Sequence, residues 1–304
     1  MSEPLETVFE ALGAYWSSPL TLSIVAVCAT AMGTLLYVFL SNARNAKLRV
    51  SLLTGFYVLT VFFWAYVAAS LFFCIANAGR VAYTTMGVRD AAAMAVLLAL
   101  AASLILSYLV WRFAARRVLN KLAPRPLRDD ERWISEYVTR LAKFEDMKPV
   151  PVLVVERSEP IAMAVGGKHA AVLLSQGLLK LLDREEVETA IAHELMHLKH
   201  HDAEFKVFST LFSRILFFDP FSKFFDPAVH REREYLADEM SGRSTGKPAA
   251  LATALLKLAD HESPPRSTWG LSIYGQGKGI FSRYPPVRER VQRLLLLSEL
   301  ITSK

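Results

Sequence analysis

The stretch His193-Glu194-Leu195-Met196-His197 decides how the chain is read. On a helix, residues four apart share a face, so both imidazoles can reach one zinc ion from the same side. Glu194 lies next to that point and can take a proton from a water held there. Asp183 followed by Glu186 is a capping signal, so a helix is expected over Val187 to His200. Its inner face is apolar, with Ile191, Ala192 and Leu195. A catalytic zinc normally takes a third protein ligand and keeps one position for water, so another helix should bring one more donor.

Glu234-Tyr235-Leu236-Ala237-Asp238 is the candidate. Glu234 and Asp238 are four apart and share a face. Glu234 suits a zinc ligand, and Asp238 can accept a hydrogen bond from a ligating histidine and fix its tautomer. Arg231, Glu232 and Arg233 stand beside them, so the run also reads as a solvated charged helix face; spacing alone leaves both readings open. His200 and His201 read as the end of the zinc helix, with Asp202, rather than as ligands. His169, His230 and His261 read as ordinary surface or loop histidines. The two cysteines, Cys28 and Cys74, sit in apolar stretches and indicate neither a disulfide framework nor a cysteine metal site.

Outward from the motifs the chain changes character. It is 53% hydrophobic, yet 30 of its 35 Lys and Arg residues follow Trp111. Three segments, 20–40, 52–78 and 91–111, lack charge for about the 20 residues that a bilayer crossing needs. Residues 1–123 are therefore expected to form a membrane domain with three transmembrane helices, and 129–304 a water-soluble domain. The acidic start (Glu3, Glu6, Glu10) argues against a signal peptide. Arg44, Lys47 and Arg49 follow the first span, and Arg112, Arg116, Arg117 and Lys121 follow the third. Basic flanks belong in the cytoplasm, so the N-terminus is expected outside and the soluble domain inside. The net charge of +6 fits these topology signals and a solvated surface. No nucleic-acid module accompanies it.

The soluble part is expected to begin with a helix from about Asp129 to Phe144. Strands follow at Val152 to Glu156 and Ala170 to Leu174, with a hairpin-like turn at Gly166-Gly167 between them. Beyond Gln176 the pattern is helical. Asp226-Pro227 opens a helix to about Ser241, Pro248 opens another to His261, and Val287 to Leu300 closes the chain. A glycine-rich loop spans Gly270 to Gly279. Phe205 to Phe225 reads either as a buried core helix or as an apolar lip resting on the bilayer.

A hydrophobic N-terminal half, His-Glu-x-x-His and then Glu-x-x-x-Asp on a later helix together resemble the membrane-bound gluzincins, of the HtpX-like and CAAX prenyl protease types. Tyr284-Pro285-Pro286-Val287-Arg288-Glu289-Arg290 is similar to a further family segment, His-Pro-Pro followed by an arginine. The resemblance implies a mainly α fold with a small β element: transmembrane helices, then a zincin-like α+β metallopeptidase domain. It implies one zinc ion per chain on His193, His197 and Glu234, Glu194 as general base, and Asp238 supporting a histidine. It also implies Tyr284 and Arg290 as oxyanion donors, with Tyr284 standing where the family has histidine. Ile161 replaces a family asparagine before the zinc helix. The short interval from His197 to Glu234 looks more like the sensor-transducer metallopeptidases of the beta-lactam response. The implied activity is a membrane-anchored zinc endopeptidase acting on membrane-associated or misfolded proteins. The alternatives are a signalling protease that cleaves a cytoplasmic repressor, and a non-catalytic zinc-binding membrane adaptor.

Overall fold

The computed structural model describes residues 3–41, 46–78, 118–202, 220–261 and 284–303, with scattered positions between 93 and 116. It divides into two units, Met1–Tyr108 and Leu109–Lys304.

The first unit holds α1 (Glu3–Trp16), α2 (Pro19–Ser41) and α3 (Ala46–Ala78). Pro19 opens α2, where its missing N–H costs nothing. Among the described residues, Pro19–Val38 is long and apolar enough to cross a membrane, and Val58–Phe72 is a shorter apolar helix. The expected spans 20–40 and 52–78 fall on α2 and α3. The expected span 91–111 lies largely outside the described residues. α1 was not anticipated from the sequence. It packs on α3, where the Tyr15 and Tyr66 hydroxyls meet at 2.8 Å in a buried cluster with Leu12, Trp16 and Ile24.

The second unit carries a four-stranded sheet in the order β1-β2-β4-β3. Its strands are β1 (Arg125–Pro126), β2 (Val152–Val155), β3 (Ala162–Val165) and β4 (Ala171–Ser175). β2 and β4 run parallel, whereas β3 pairs antiparallel with β4 at the sheet edge. The turn at Gly167 (φ 86°) thus joins β3 to β4, not the two strands read from the sequence. β3, Ala-Met-Ala-Val, has one β-branched residue and little strand signal. It is a strand because both its faces are covered. Ala162 and Ala164 join the main core, while Met163 and Val165 join a second cluster with Leu122 and Leu173. Ser175 Oγ accepts from the Ile161 and Leu178 N–H groups, tying β3 to the start of α5 (Gln176–Leu181). Gly177 is obligatory there: a Cβ would stand 1.9 Å from the Ser158 carbonyl oxygen.

The remaining helices are α4 (Arg132–Phe144), α6 (Arg184–Lys199), α7 (Pro220–Thr245), α8 (Pro248–Asp260) and α9 (Val287–Thr302). α6 is the central one, packed against α4, β3, β4, α7 and α8. Asp183 and Glu186 close the anticipated capping box at 3.0 and 2.9 Å. α7 begins at Pro220 rather than Pro227, which lies inside the helix. Residues 205–219 and the glycine-rich 270–279 loop lie outside the described residues.

Candidate metal centre

α6 is buried almost all round, so its polar residues His193, Glu194 and His197 lie in the core. Residues this polar are kept there only with partners. α7 supplies Glu234 and Asp238, both buried, from a single face. The solvated-face reading of that run therefore fails: Glu234 is 0% exposed.

His193, His197 and Glu234 converge. The two Nε2 atoms stand 3.1 Å apart. The Glu234 carboxylate lies 3.4 Å from His193 Nε2 and 3.5 Å from His197 Nε2. The first approach is made by Oε2 and the second by Oε1, and one ligand atom from each of the three residues lies within 4.8 Å of the others, close enough to share one ion. Among the described residues, these three are the group with ligand atoms gathered for a metal.

The far side of each ring points the same way. His193 Nδ1 lies 3.0 Å from Asp238 Oδ1, close but not squarely aligned for a hydrogen bond. His197 Nδ1 lies 2.9 Å from Asp202 Oδ2. Carboxylates at both Nδ1 atoms draw the ring protons there and leave the Nε2 lone pairs to face each other. Two lone pairs at that distance repel unless a cation sits between them.

Charge agrees. Glu194, Asp202, Glu234 and Asp238 are four buried carboxylates, and Arg233 and Arg290 are two buried guanidiniums. Acidic side chains thus outnumber basic ones here, with Glu232 buried beside them, a balance that suits a divalent cation. The Glu194 Oε1 atom is buried without a hydrogen-bond partner, as a base awaiting a water would be.

Arg290 reaches the cluster from α9. Its Nε and one Nη each donate to Asp238 at 2.7 Å, and the other Nη lies 3.5 Å from Glu234 Oε2. Burial pushes the Asp238 carboxyl up, but the Arg290 guanidinium outweighs this and holds it below the ordinary carboxylate range. Burial likewise favours neutral Arg290, and Asp238, Glu234 and Glu194 overcome it, so it stays charged. Arg290 thus directs two of its donors to Asp238, behind the metal triangle, whereas an oxyanion donor was expected of it. Tyr284 is half-buried, three residues before α9.

Asp202 and Arg233 were missed as site residues. Asp202 follows His197 by five positions, outside helical spacing, and reaches it because His201 turns left-handed (φ 55°). Arg233 pairs with Asp202. Only the His-His-Asp run after the motif hinted at this.

Comparison with known proteins makes this chain a membrane-anchored metallopeptidase. The chain belongs to the M56 peptidase family, whose model, described as BlaR1 peptidase M56, matches residues 50–280. It is HtpX-like by its relatives. The protease HtpX homolog of Acidiphilium cryptum is 31% identical over 214 residues, 55% of this chain and 74% of that protein. That of Thermococcus sibiricus is 27% identical over 248 residues, 65% and 85% of the two chains. The crystal structure of S. mikatae Ste24p overlaps 86% of this chain and 75% of that one, with a TM-score of 0.43 and 16% identity.

Proposed function

We propose that this peptidase is a zinc-dependent endopeptidase, with one zinc ion held by His193, His197 and Glu234 and with Glu194 as its general base. The observation that carries this reading is the pair of facing Nε2 atoms, each backed by a carboxylate at Nδ1. Zinc bound there supplies Lewis acidity and lowers the pKa of water to about 7.

The residues divide the work. Glu194 takes a proton from the attacking water at Oε1 and passes it to the leaving amine. Asp238 holds the His193 imidazole in the tautomer that presents Nε2. Arg290 keeps Asp238 ionised and lies 3.5 Å from Glu234 Oε2. Tyr284 is the remaining candidate for donating to the developing oxyanion. Full turnover in Tyr284→Phe would remove it from that role. β3 is an edge strand close to α6, so an extended substrate segment would add along Ile161 to Gly166.

The substrates are proteins, membrane-associated or misfolded ones, met beside a lipid bilayer and not on nucleic acid. The basic flanks put the peptidase domain, 129–304, in the cytoplasm and the N-terminus outside, after three spans within 1–123. The protease HtpX homologs among its relatives favour this reading over the signalling and adaptor alternatives. Casein cleavage by the detergent-purified chain tests the chemistry, with zinc measured on the same samples. Glu194→Gln should keep about one zinc and lose roughly 10²–10⁴-fold in turnover. Equal turnover with the wild type would exclude Glu194 as the base.

A further inference from the structure

Both histidines of the triangle are backed by a carboxylate, and each carboxylate is gripped by a buried arginine. At His193 the group is Asp238 with Arg290. At His197 it is Asp202 with Arg233, and all three residues are at least nine-tenths buried. The two arrangements differ in where the carboxylate comes from. Asp238 lies one turn beyond Glu234 on α7 itself. Asp202 lies past the end of α6, beyond the left-handed turn at His201, and Arg233 of α7 holds it. Arg233 immediately precedes Glu234, so the pair also joins the end of the helix that carries the histidines to the helix that carries the third ligand.

We propose that Asp202 is the positioning residue for His197, setting its tautomer, and that Arg233 sets the orientation of Asp202. This rests on the metal-site reading above and deepens it. Two contacts of Asp202 make it specific. Asp202 gives Oδ2 to His197 Nδ1 and Oδ1 to Arg233. Arginine has only donors, so the atom facing it must be an oxygen. In Asp202→Asn, Arg233 therefore takes the amide oxygen and the NH₂ group turns to His197. Nδ1 must then accept, and the ring proton moves to Nε2, the atom that faces the metal. An isosteric change thus blocks a ligand atom without opening a cavity. Arg233→Met removes the demand for an oxygen, so in the double variant the amide is free to turn its oxygen back to Nδ1.

The test is zinc affinity of the full-length chain in detergent, read by competition with a chromophoric chelator, with the cobalt(II) absorption spectrum taken on the same samples. The variants are Asp202→Asn, Arg233→Met and the double variant. Asp202→Asn should weaken zinc binding by about 10–100-fold, the range for lost supporting partners of ligating histidines. The double variant should bind more tightly than Asp202→Asn alone and recover its cobalt spectrum. A purely structural role for the pair makes the two losses add instead. The proposal is overturned if Asp202→Asn binds zinc as the wild type does, or if the double variant binds more weakly than Asp202→Asn. Should Asp202→Asn fail to fold, Arg233→Met against Arg233→Lys decides: severalfold weaker binding by the Met variant supports the role, and equal affinities overturn it. A wild-type chain that binds no zinc brings down the metal-site reading itself. Normal wild-type binding with an indifferent Asp202→Asn removes only the positioning role.

Discussion

The two units are built on opposite rules. In the first, apolar side chains face outward: Leu22, Val27, Tyr37 and Phe72 are all exposed, while Thr21, Thr60, Ser70 and the Tyr15–Tyr66 hydroxyl pair are buried. Thr60 and Ser70 return their hydroxyl protons to backbone carbonyls of their own helix, at 3.0 and 2.8 Å. In the second unit, exposed positions are mostly polar, and the interior holds an apolar core with a charged cluster at its centre. Exposed apolar faces of this kind suit a lipid surround better than water. Neither solvent satisfies the buried carboxylates of the second, which face arginine and histidine partners. A lipid-type helix and a buried core helix can thus look alike in being weakly amphipathic. α2 is apolar on every side, whereas α6 is enclosed on every side.

Truncating a core contact of α6 is the strongest challenge to this contrast. Ile191→Ala should destabilise the second unit by roughly 2–5 kcal/mol, measured by chemical denaturation in detergent. The corresponding exposed truncation, Val27→Ala, should move stability by less than about 0.5 kcal/mol. If the two cost the same, the division into a packed unit and a lipid-facing unit is wrong. Val27→Asp sharpens it from the other side. Val27 lies near the middle of the Pro19–Val38 span and is largely exposed. A carboxylate there should cost about 2.5–3.5 kcal/mol of insertion, read as loss of membrane-integrated protein. Unchanged insertion would mean that this face meets water.

The smallest effect concerns the surface of the second unit. Arg125 donates to both oxygens of Glu131 at 2.7 and 2.8 Å. That hydrogen bonding, against a lesser opposing effect of burial, holds the Glu131 carboxyl below its ordinary range. A depressed carboxylate stabilises the fold above its unfolded pKa, about 4.3, and loses that contribution as pH falls through the folded value. Glu131→Gln should therefore cost up to about 1 kcal/mol at neutral pH, with the gap to wild type closing in acid. A gap that widens in acid would reverse the sign of the argument.

Much of the site was legible because helical spacing maps directly onto a face. The convergence of His193 and His197 needed only that rule, and the capping box before α6 needed only its own local chemistry; for Glu234 and Asp238 the rule gave a shared face, and only their burial showed that it turns inward. Asp202 was not legible, because a left-handed residue at His201 breaks the spacing just before it. Arg233 was not either, since a neighbour of Glu234 is expected to face elsewhere on the helix, and its partner lies 31 positions away in the chain. For Arg290 the position was found and the task was not: whether a guanidinium faces substrate or a carboxylate depends on packing between α7 and α9. β3 failed for a related reason. Its small residues carry no strand preference, and only two covering layers make it one.

The most direct test of the account is anomalous diffraction at the zinc edge from crystals of the detergent-purified chain. The account expects one strong peak about 2.0–2.1 Å from Nε2 of both His193 and His197, with a Glu234 carboxylate oxygen as the third protein donor. A zinc peak held by other residues, or none among these three in a protein that still cleaves casein, would contradict it.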